Sequence, residues 1–283
     1  MAPNAFYNSA AQFDKTKCHE NTRVAVLKKI MRWILGQDET TKDNLIMWLT
    51  GAAGAGKSSI AQSIIQQAIN ENLAIATFFF NKSDGSRNTA KSLVATLTYQ
   101  VYISLPHTQP DILACIDSDP LVFGKNLNHQ FVELIVNPLL NLCRREGESY
   151  RRRLIVIDGL DECVDRESQG DILDMLRNSI RVLQLPVLFL IASRPEHNIQ
   201  AFLDSEPMKG IPARLVLDDN YMSDMDIKIH LSDMFNEIRT SHPFRKMIPT
   251  LWPGESVIDQ LVKASSGQLI YLRSDSHSLC HVP

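Results

Sequence analysis

The sequence predicts an α/β fold in which a mostly parallel, five-stranded sheet lies between two layers of helices, followed by a small, partial helical domain. Five short apolar runs alternate with helical patterns up to residue 217. Continuous apolar runs of this length are typical of strands that are buried on both faces. After residue 217 only helical periodicity continues. Alternating strands and helices form a parallel sheet that helices cover on both sides, so a three-layer α/β/α architecture is expected.

The predicted elements follow these patterns in chain order. The strands are predicted at 45–50, 74–80, 153–158, 186–193 and 213–217. Helices are predicted from Asn21, after the loop at 51–58, around 90–104 and around 130–145. Capping-box spacing predicts three further helix starts, at Ser168 with Asp171, Ser223 with Asp226, and Ser256 with Asp259. Residues 1–20 show no periodicity and are predicted to be irregular.

Composition narrows the class of protein. The 283 residues are 44% hydrophobic and 22% charged, with a net charge of −3, which suits a globular chain with one large domain and a smaller appendage. This near-neutral balance predicts no nucleic-acid partner. The N-terminus lacks a signal peptide, and no apolar stretch approaches the roughly 20 residues that span a bilayer. Scattered cysteines without metal-site spacing favour reduced thiols, so we expect a soluble, cytoplasmic protein without a membrane partner.

A glycine-rich loop between the first strand and its helix has the pattern G-x-x-x-x-G-K-[ST]. Such glycines let successive main-chain N–H groups point at a phosphate, and the following helix N-terminus adds positive potential. The lysine would bridge the β- and γ-phosphates, and the serine hydroxyl would bind Mg²⁺. The predicted nucleotide-binding residues are Gly51, Ala52, Ala53, Gly54, Ala55, Gly56, Lys57, Ser58 and Ser59. This motif predicts a P-loop NTPase.

Two later strands end in residues that complete such a site. LIVIDGLDE, residues 154–162, places Asp158 at the carboxyl end of a buried strand, where it would hold Mg²⁺ together with Ser58. Asp161 and Glu162 follow, placed to orient a water against the γ-phosphate. The fourth strand ends in Ser-Arg-Pro, residues 193–195, and Arg194 is predicted to sense the γ-phosphate. Lys57, Asp161, Glu162 and Arg194 are therefore the predicted catalytic residues.

The tetrapeptide Asn81-Lys82-Ser83-Asp84 has the spelling with which GTPases read guanine. In those proteins it follows the Mg²⁺-linked D-x-x-G motif, whereas here it precedes Asp158. The segment that begins at Asp158 also lacks the final glycine of that motif. Asn, Ser, Asp and Gly are common in turns at strand ends. We therefore interpret the match as a strand-ending turn, not as a guanine site.

With these motifs in this order, the chain resembles the NACHT family of STAND-type nucleotide-binding proteins, specifically the set found in mushroom-forming fungi. The small residue after Asp158 is specific to NACHT proteins rather than AAA+ enzymes, which place Glu there. The resemblance spans nearly the whole chain, and its stretches are CHENTRVAVLKKIMRWI (18–34), WLTGAAGAGKSSIAQSI (48–64), ATFFF (76–80), RLIVIDGLDEC (153–163), FLIASRPE (189–196), LDDNYMSDMDIKIHL (217–231) and IDQLVKASSGQLIY (258–271).

The resemblance implies a nucleotide-binding domain at 21–217 and a partial helical domain at 218–271. It places the strand before Arg194 between the phosphate-loop strand and the Asp158 strand. It also implies phosphate and Mg²⁺ binding by Lys57 and Ser58, and help with hydrolysis from Asp161. Thr22 with Arg23 is a candidate contact to the base. Family members are slow switches: ADP holds a closed form, ATP an open form that associates with itself or with related NACHT proteins. The fungal members serve in non-self recognition and cell death.

The chain departs from the family in two respects. Family members carry an N-terminal effector and C-terminal sensing repeats, and from the length of this chain we expect it to hold neither. The likeness also stops after Tyr271, and residues 272–283 are polar and rich in Ser and His. We expect this tail to be aberrant and disordered, as in a truncated or frame-shifted product.

Three alternatives to a switch that binds ATP or GTP with Mg²⁺ and hydrolyses it weakly stay open. One is a scaffold that nucleotide stabilises without turnover. Another is a truncated form that regulates a full-length relative. The third is a P-loop kinase, which would carry an arginine-rich lid, and residues 218–271 hold only Arg239 and Arg245.

Overall fold

The computed structural model describes residues 1–10, 17–217, 223–241, 245–249 and 252–265. The predicted tail at 272–283 lies outside these residues. The described chain forms an α/β domain up to residue 217 and a pair of helices after it. Within the described ranges, no helix is long and apolar enough to cross a membrane.

Five parallel strands form one sheet. They are β1 (Ile46–Thr50), β2 (Ala74–Phe79), β3 (Arg153–Asp158), β4 (Val187–Ser193) and β5 (Pro212–Val216). Their order across the sheet is β2-β3-β4-β1-β5, and every neighbouring pair is parallel. The predicted five-stranded parallel sheet is confirmed, with strand ends within one residue of the prediction.

Ten α-helices accompany the sheet in the described residues. In chain order they are α1 (Val24–Ile34), α2 (Lys57–Asn70), α3 (Leu93–Ser104), α4 (Gln109–Ser118), α5 (Leu127–Phe131), α6 (Asn137–Glu146), α7 (Arg166–Arg181), α8 (His197–Leu203), α9 (Ser223–Ser241) and α10 (Glu255–Ser265). A π-helical segment, Val132–Val136, joins α5 to α6.

Alternate strand residues point to opposite faces of the sheet, and each face has its own core. On one face, Met47, Leu49 and Val156 pack with buried residues of α1 and α2. On the other, Trp48 and Ile157 pack with α3, α7 and α8. This double burial explains why the strands read as continuous apolar runs rather than alternating ones.

Residues 1–10 join the domain core instead of standing apart from it. Pro3–Ala5 forms a short 3₁₀ turn, and Ala2 and Ala5 are fully buried. The main-chain N–H of Ala2 donates to Thr96 Oγ1 at 2.9 Å, and that of Tyr7 donates to Thr77 Oγ1 at 3.1 Å. The sequence showed no sign of this packing because the contacts come from small residues, main-chain groups and the isolated ring of Phe6, which stacks on Tyr99, and these leave no periodic pattern.

The start of α7 differs from the prediction. The helix begins at Arg166, and the side chain of Asp165 accepts hydrogen bonds from the N–H groups of Glu167 and Ser168. The capping box predicted from Ser168 and Asp171 is therefore wrong. An Asp side chain that accepts from the second and third helical N–H groups is itself a full N-cap.

The helices after residue 217 have a core of their own. Ile227, Leu231 and Phe235 of α9 pack against Ile258 and Val262 of α10. Phe235 also meets Trp252 edge to face, with 5.2 Å between the ring centroids. Two amphipathic helices bury little apolar area between them. Contacts with the larger domain are therefore needed to hold the pair in a defined position.

Candidate nucleotide-binding site

The strand order brings the three predicted motifs to one edge of the sheet. β4 lies between β1 and β3, with Ser193 paired to Thr50 and Ala192 paired to Asp158. The carboxyl ends of these parallel strands therefore meet, and ligands of open α/β sheets bind at such an edge. Arg194 follows β4 directly, so it emerges between the phosphate loop and Asp158, as the resemblance implied.

The loop between β1 and α2 has the backbone shape that its glycines allow. Gly54 and Gly56 have φ angles of 77° and 87°, a region that residues with a Cβ rarely adopt. Gly56 is the N-cap of α2, which begins at Lys57. The first N–H groups of this helix have no partner within the helix, so this end attracts anions.

Lys57 lies over the loop that precedes it. Its Nζ donates to the carbonyl oxygens of Gly51 and Ala52, each at 2.8 Å. Burial lowers the pKa of Lys57, while the carboxylates of Asp161 and Asp158 act to raise it. The ammonium group is thus at the centre of the site and within electrostatic reach of the residues that follow β3.

Ser58 and Asp158 meet directly. The Ser58 hydroxyl donates to Asp158 Oδ2 at 2.7 Å, although the two residues are 100 positions apart. Asp158 is only 2% exposed. A hydroxyl and a carboxylate side by side at the phosphate loop are oxygen donors of the kind that Mg²⁺ binds alongside phosphate oxygens. The donor set therefore fits a magnesium ion.

The two carboxylates after β3 have different partners. Asp161 Oδ1 accepts from the main-chain N–H of Arg194 at 3.0 Å, and its Oδ2 lies 3.3 Å from Arg194 Nε. Glu162 Oε2 accepts from the main-chain N–H of Lys82 at 3.2 Å. The Arg194 side chain is half exposed, whereas that of Asp161 is mostly covered.

In the guanine-like tetrapeptide, the side chains of Asn81 and Asp84 make hydrogen bonds to groups of their own loop. Asn81 Oδ1 accepts from the N–H of Ser83 at 2.9 Å. Asp84 accepts from Ser86 and forms an ion pair with Arg87 at 2.8 Å. These bonds hold the pKa of Asp84 at about 2. Both side chains shape a turn at the end of β2, which agrees with the interpretation from the sequence.

Sequence reasoning missed one contact to the phosphate loop. Arg23, just before α1, is 4% exposed, and its Nη2 donates to the carbonyl oxygen of Ala55 at 3.2 Å. Asp226 of α9 accepts from the N–H of Arg23 at 3.0 Å. The resemblance had suggested Thr22 and Arg23 only as base contacts. No local signal could have linked Arg23 to Asp226, which lies 203 positions further along the chain.

The fold and this site define the class of protein: a nucleotide-binding module with a P-loop NTPase fold. Residues 26–194 match the family model described as Nephrocystin 3, N-terminal. The chain belongs to that family. The matched range begins in α1 and ends at Arg194, so it includes the phosphate loop, the Asp158 segment and Arg194 itself. None of the curated proteins compared with the chain matches it.

Several solved structures are similar in fold. The Aeropyrum pernix ORC1 protein in complex with DNA is 16% identical, with a TM-score of 0.46, over 80% of this chain and 52% of that one. Drosophila ORC bound to DNA is 14% identical, with a TM-score of 0.44, over 78% of this chain and 36% of that one. Caenorhabditis elegans PCH-2 is 14% identical, with a TM-score of 0.42, over 92% of this chain and 62% of that one. The chain therefore spans less than two thirds of each of these proteins.

One prediction from composition needs correction. The near-neutral charge was taken to exclude nucleic acid as a partner, and this exclusion is wrong, because two of these similar structures are complexes with DNA. The physical error is that net charge is a sum over the whole chain, whereas contacts with phosphates are made by local groups.

Proposed function

We propose that this protein is a regulatory nucleotide-binding module that binds ATP or GTP with Mg²⁺ and hydrolyses it slowly. The observation that carries the proposal is the 2.7 Å contact between Ser58 Oγ and Asp158 Oδ2, beside the loop that Lys57 covers. A hydroxyl, a buried carboxylate and a lysine at a helix N-terminus form the combination that holds a magnesium nucleotide.

Each predicted residue has a task in this proposal. The main-chain N–H groups of residues 51–59 cradle the phosphates, and Lys57 moves from the loop carbonyls to the β- and γ-phosphates. Ser58 and Asp158 hold Mg²⁺, which would neutralise charge on the phosphates. Arg194 contacts the γ-phosphate from the end of β4. Asp161 and Glu162 orient the Arg194 side chain and the attacking water.

We propose that nucleotide hydrolysis is slow because the positive charge of Arg194 is already neutralised by the carboxylate of Asp161. The Arg194 side chain is paired with Asp161 at 3.3 Å and is half exposed to solvent. A guanidinium that is paired and hydrated stabilises the developing charge of a transition state less than an unpaired one in a closed site.

The regulatory part rests on the contact between the two parts of the chain. In the proposed organisation, residues 21–217 form the nucleotide-binding domain and 218–271 a partial helical domain. Asp226 of the helical part bonds to Arg23, which in turn bonds to the phosphate loop at Ala55. A nucleotide that shifts this loop would act on the helices through Arg23. Such coupling suits a switch of the NACHT or STAND kind.

The resemblance supports a more specific hypothesis. It assigns the module to a fungal NLR-like protein of the cytoplasm, in which the nucleotide controls association with copies of itself or with related NACHT proteins during non-self recognition or cell death. Size-exclusion chromatography with ADP and with a non-hydrolysable ATP analogue tests this part, and an unchanged elution volume would contradict it.

A second candidate is a scaffold that nucleotide stabilises without turnover. The observation that favours it is again the pair of Asp161 and Arg194, since both groups are occupied by each other. Single-turnover measurements with excess protein distinguish the two candidates, because a scaffold would leave bound ATP intact.

The first experiment is equilibrium binding of fluorescent ATP, ADP and GTP with Mg²⁺ to the wild type and to Lys57→Ala. The proposal expects micromolar or tighter binding that is lost in the variant. Lys91→Ala, which removes an exposed lysine outside residues 51–59, is the matched control and should bind normally. Absence of binding by folded wild-type protein would refute the proposal. The ratio of ATP to GTP affinity gives the base preference.

A further inference from the structure

The loop after β2 is bonded to the segment that carries the proposed hydrolytic carboxylates. The N–H of Phe80 donates to the carbonyl oxygen of Asp158 at 2.9 Å, and the N–H of Val164 donates to that of Asn88 at 2.9 Å. Between these two contacts, the N–H of Lys82 donates to Glu162 Oε2 at 3.2 Å. Residues 81–88, here called the β2 loop, are thus attached to residues 158–164 at both ends and at Glu162.

The β2 loop is stiff because it is closed by its own hydrogen bonds. The N–H of Asn81 donates to the carbonyl oxygen of Arg87 at 3.2 Å, and that of Arg87 donates to Asp84 at 3.0 Å. Asp84 binds the N–H and hydroxyl of Ser86 as well as the Arg87 side chain. Arg87 is 3% exposed, and its Nη1 donates to the carbonyl oxygen of Phe79. A donor in such a loop has a fixed position.

The two candidate carboxylates are therefore held by different parts of the sheet edge. Asp161 has both oxygens engaged with Arg194, after β4. Glu162 uses one oxygen for Lys82, after β2, and in the described part of the chain its Oε1 makes no hydrogen bond. A carboxylate with one oxygen anchored and the other available can accept a proton from a water at a defined place.

We propose that the β2 loop is a positioning element for Glu162, which takes the proton of the attacking water, whereas Asp161 positions Arg194. The inference rests on the proposed function and deepens it. The water oxygen forms a bond to the γ-phosphorus, and the bond from that phosphorus to the β–γ bridging oxygen breaks. The bond's electron pair leaves with the nucleoside diphosphate, the water's proton passes to Glu162, and inorganic phosphate is the second product.

This assigns a role to the segment that reads like a guanine motif. Asn81 and Asp84 do not contact a base in this account. They fold the chain so that the N–H of Lys82 meets Glu162. The Lys82 side chain is exposed and is not required, because its main-chain N–H makes the contact.

The test uses the whole chain and loosens the loop at a distance from the phosphates. Asp84→Ala removes the acceptor for Ser86 and Arg87. Asp38→Ala is the matched control, since Asp38 accepts from Thr40 in a similar exposed turn after α1. For each variant, the dissociation constant for Mg²⁺ and an ATP analogue, the single-turnover hydrolysis rate and the melting temperature are measured.

We expect Asp84→Ala to lower the hydrolysis rate by about tenfold, a part of the roughly 10²–10⁴-fold that a positioned general base contributes. The dissociation constant should stay within about twofold, and Asp38→Ala should change neither. Asp84→Asn keeps an acceptor oxygen and should recover most of the rate. Glu162→Gln keeps an acceptor for Lys82 but cannot take a proton, so it should lower the rate by about a hundredfold or more, to a residual rate that single-turnover kinetics still measures, while binding persists.

The double variant Asp84→Ala/Glu162→Gln decides whether the loop acts through Glu162. If it does, the double variant has the same rate as Glu162→Gln alone. An unchanged rate in Asp84→Ala, or an equal loss in Asp38→Ala, would overturn the inference. Wild-type protein that binds ATP but never hydrolyses it would overturn it too. Failure of the wild type to bind nucleotide is a different result and refutes the proposed function itself.

Discussion

Asp226 and Arg23 join the helical pair to the phosphate loop. Asp226 Oδ2 accepts from the main-chain N–H of Arg23 at 3.0 Å and lies 3.5 Å from its Nε. The Arg23 side chain is 3% exposed, and its other bond goes to Ala55 of the loop. Arg23, which is the N-cap residue of α1, thus contacts both α9 and the phosphate loop.

Asp226→Ala should destabilise the protein by about 3 kcal/mol, because it leaves a buried guanidinium without its partner. Asp259→Ala breaks an exposed pair with Lys228 on the same helical unit and should cost at most about 1 kcal/mol. Urea unfolding of the two variants measures the difference in the free energy of unfolding. Equal losses of unfolding free energy would show that burial does not strengthen the contribution of the Asp226–Arg23 pair.

Ser58→Ala should weaken nucleotide binding only when Mg²⁺ is present, by about tenfold, because the hydroxyl is a proposed ligand of the ion and not of the phosphates. Ser58→Thr keeps the hydroxyl and should bind normally. Titrations with Mg²⁺ and with EDTA check this. A similar loss under both conditions would indicate damage to the loop instead.

Gly159→Ala should destabilise the fold by about 1–2 kcal/mol. Gly159 has a φ of +72°, which costs a residue with a Cβ about this much. The new Cβ would also lie 3.3 Å from the carbonyl oxygen of Phe80. Gly170→Ala is a control for which the opposite change in stability is expected. Gly170 lies within α7 with nothing near its missing Cβ, so alanine there should stabilise by about 0.5–1 kcal/mol. Thermal unfolding of both variants tests the two signs.

The Asp84 carboxyl should titrate at about pH 2 in the folded protein, below its usual value of 3.8. Hydrogen bonds from Ser86 and the Arg87 charge favour the ionised form, so the pKa is lowered. The stabilisation is complete above about pH 4 and is lost as the pH falls through about 2. Carbon-detected NMR of the carboxyl group measures this directly. A midpoint near 3.8 would mean that the β2 loop is open in solution.

Much of the fold could be read from local sequence. The five apolar runs of the strands predicted a sheet buried on both faces, and the glycines of residues 51–56 predicted a phosphate loop, because these patterns reflect backbone rules that act over a few residues. The start of α7 was misplaced because Asp165, Ser168 and Asp171 all offer capping groups at close spacing. The exclusion of nucleic acid failed because it used an average over the chain.

The sequence by itself determined which residues are candidates for the chemistry: Lys57 and Ser58 by their motif, Asp158 and Arg194 by their places at strand ends. Only the tertiary structure decided which of them meet. The contacts of Ser58 with Asp158, of Lys82 with Glu162 and of Arg23 with Asp226 depend on strand order and on how the helical pair packs. Strand order and helix packing result from burying apolar surface over the whole chain. Because the hydrophobic effect is non-directional, a local sequence pattern does not specify which distant residues come into contact.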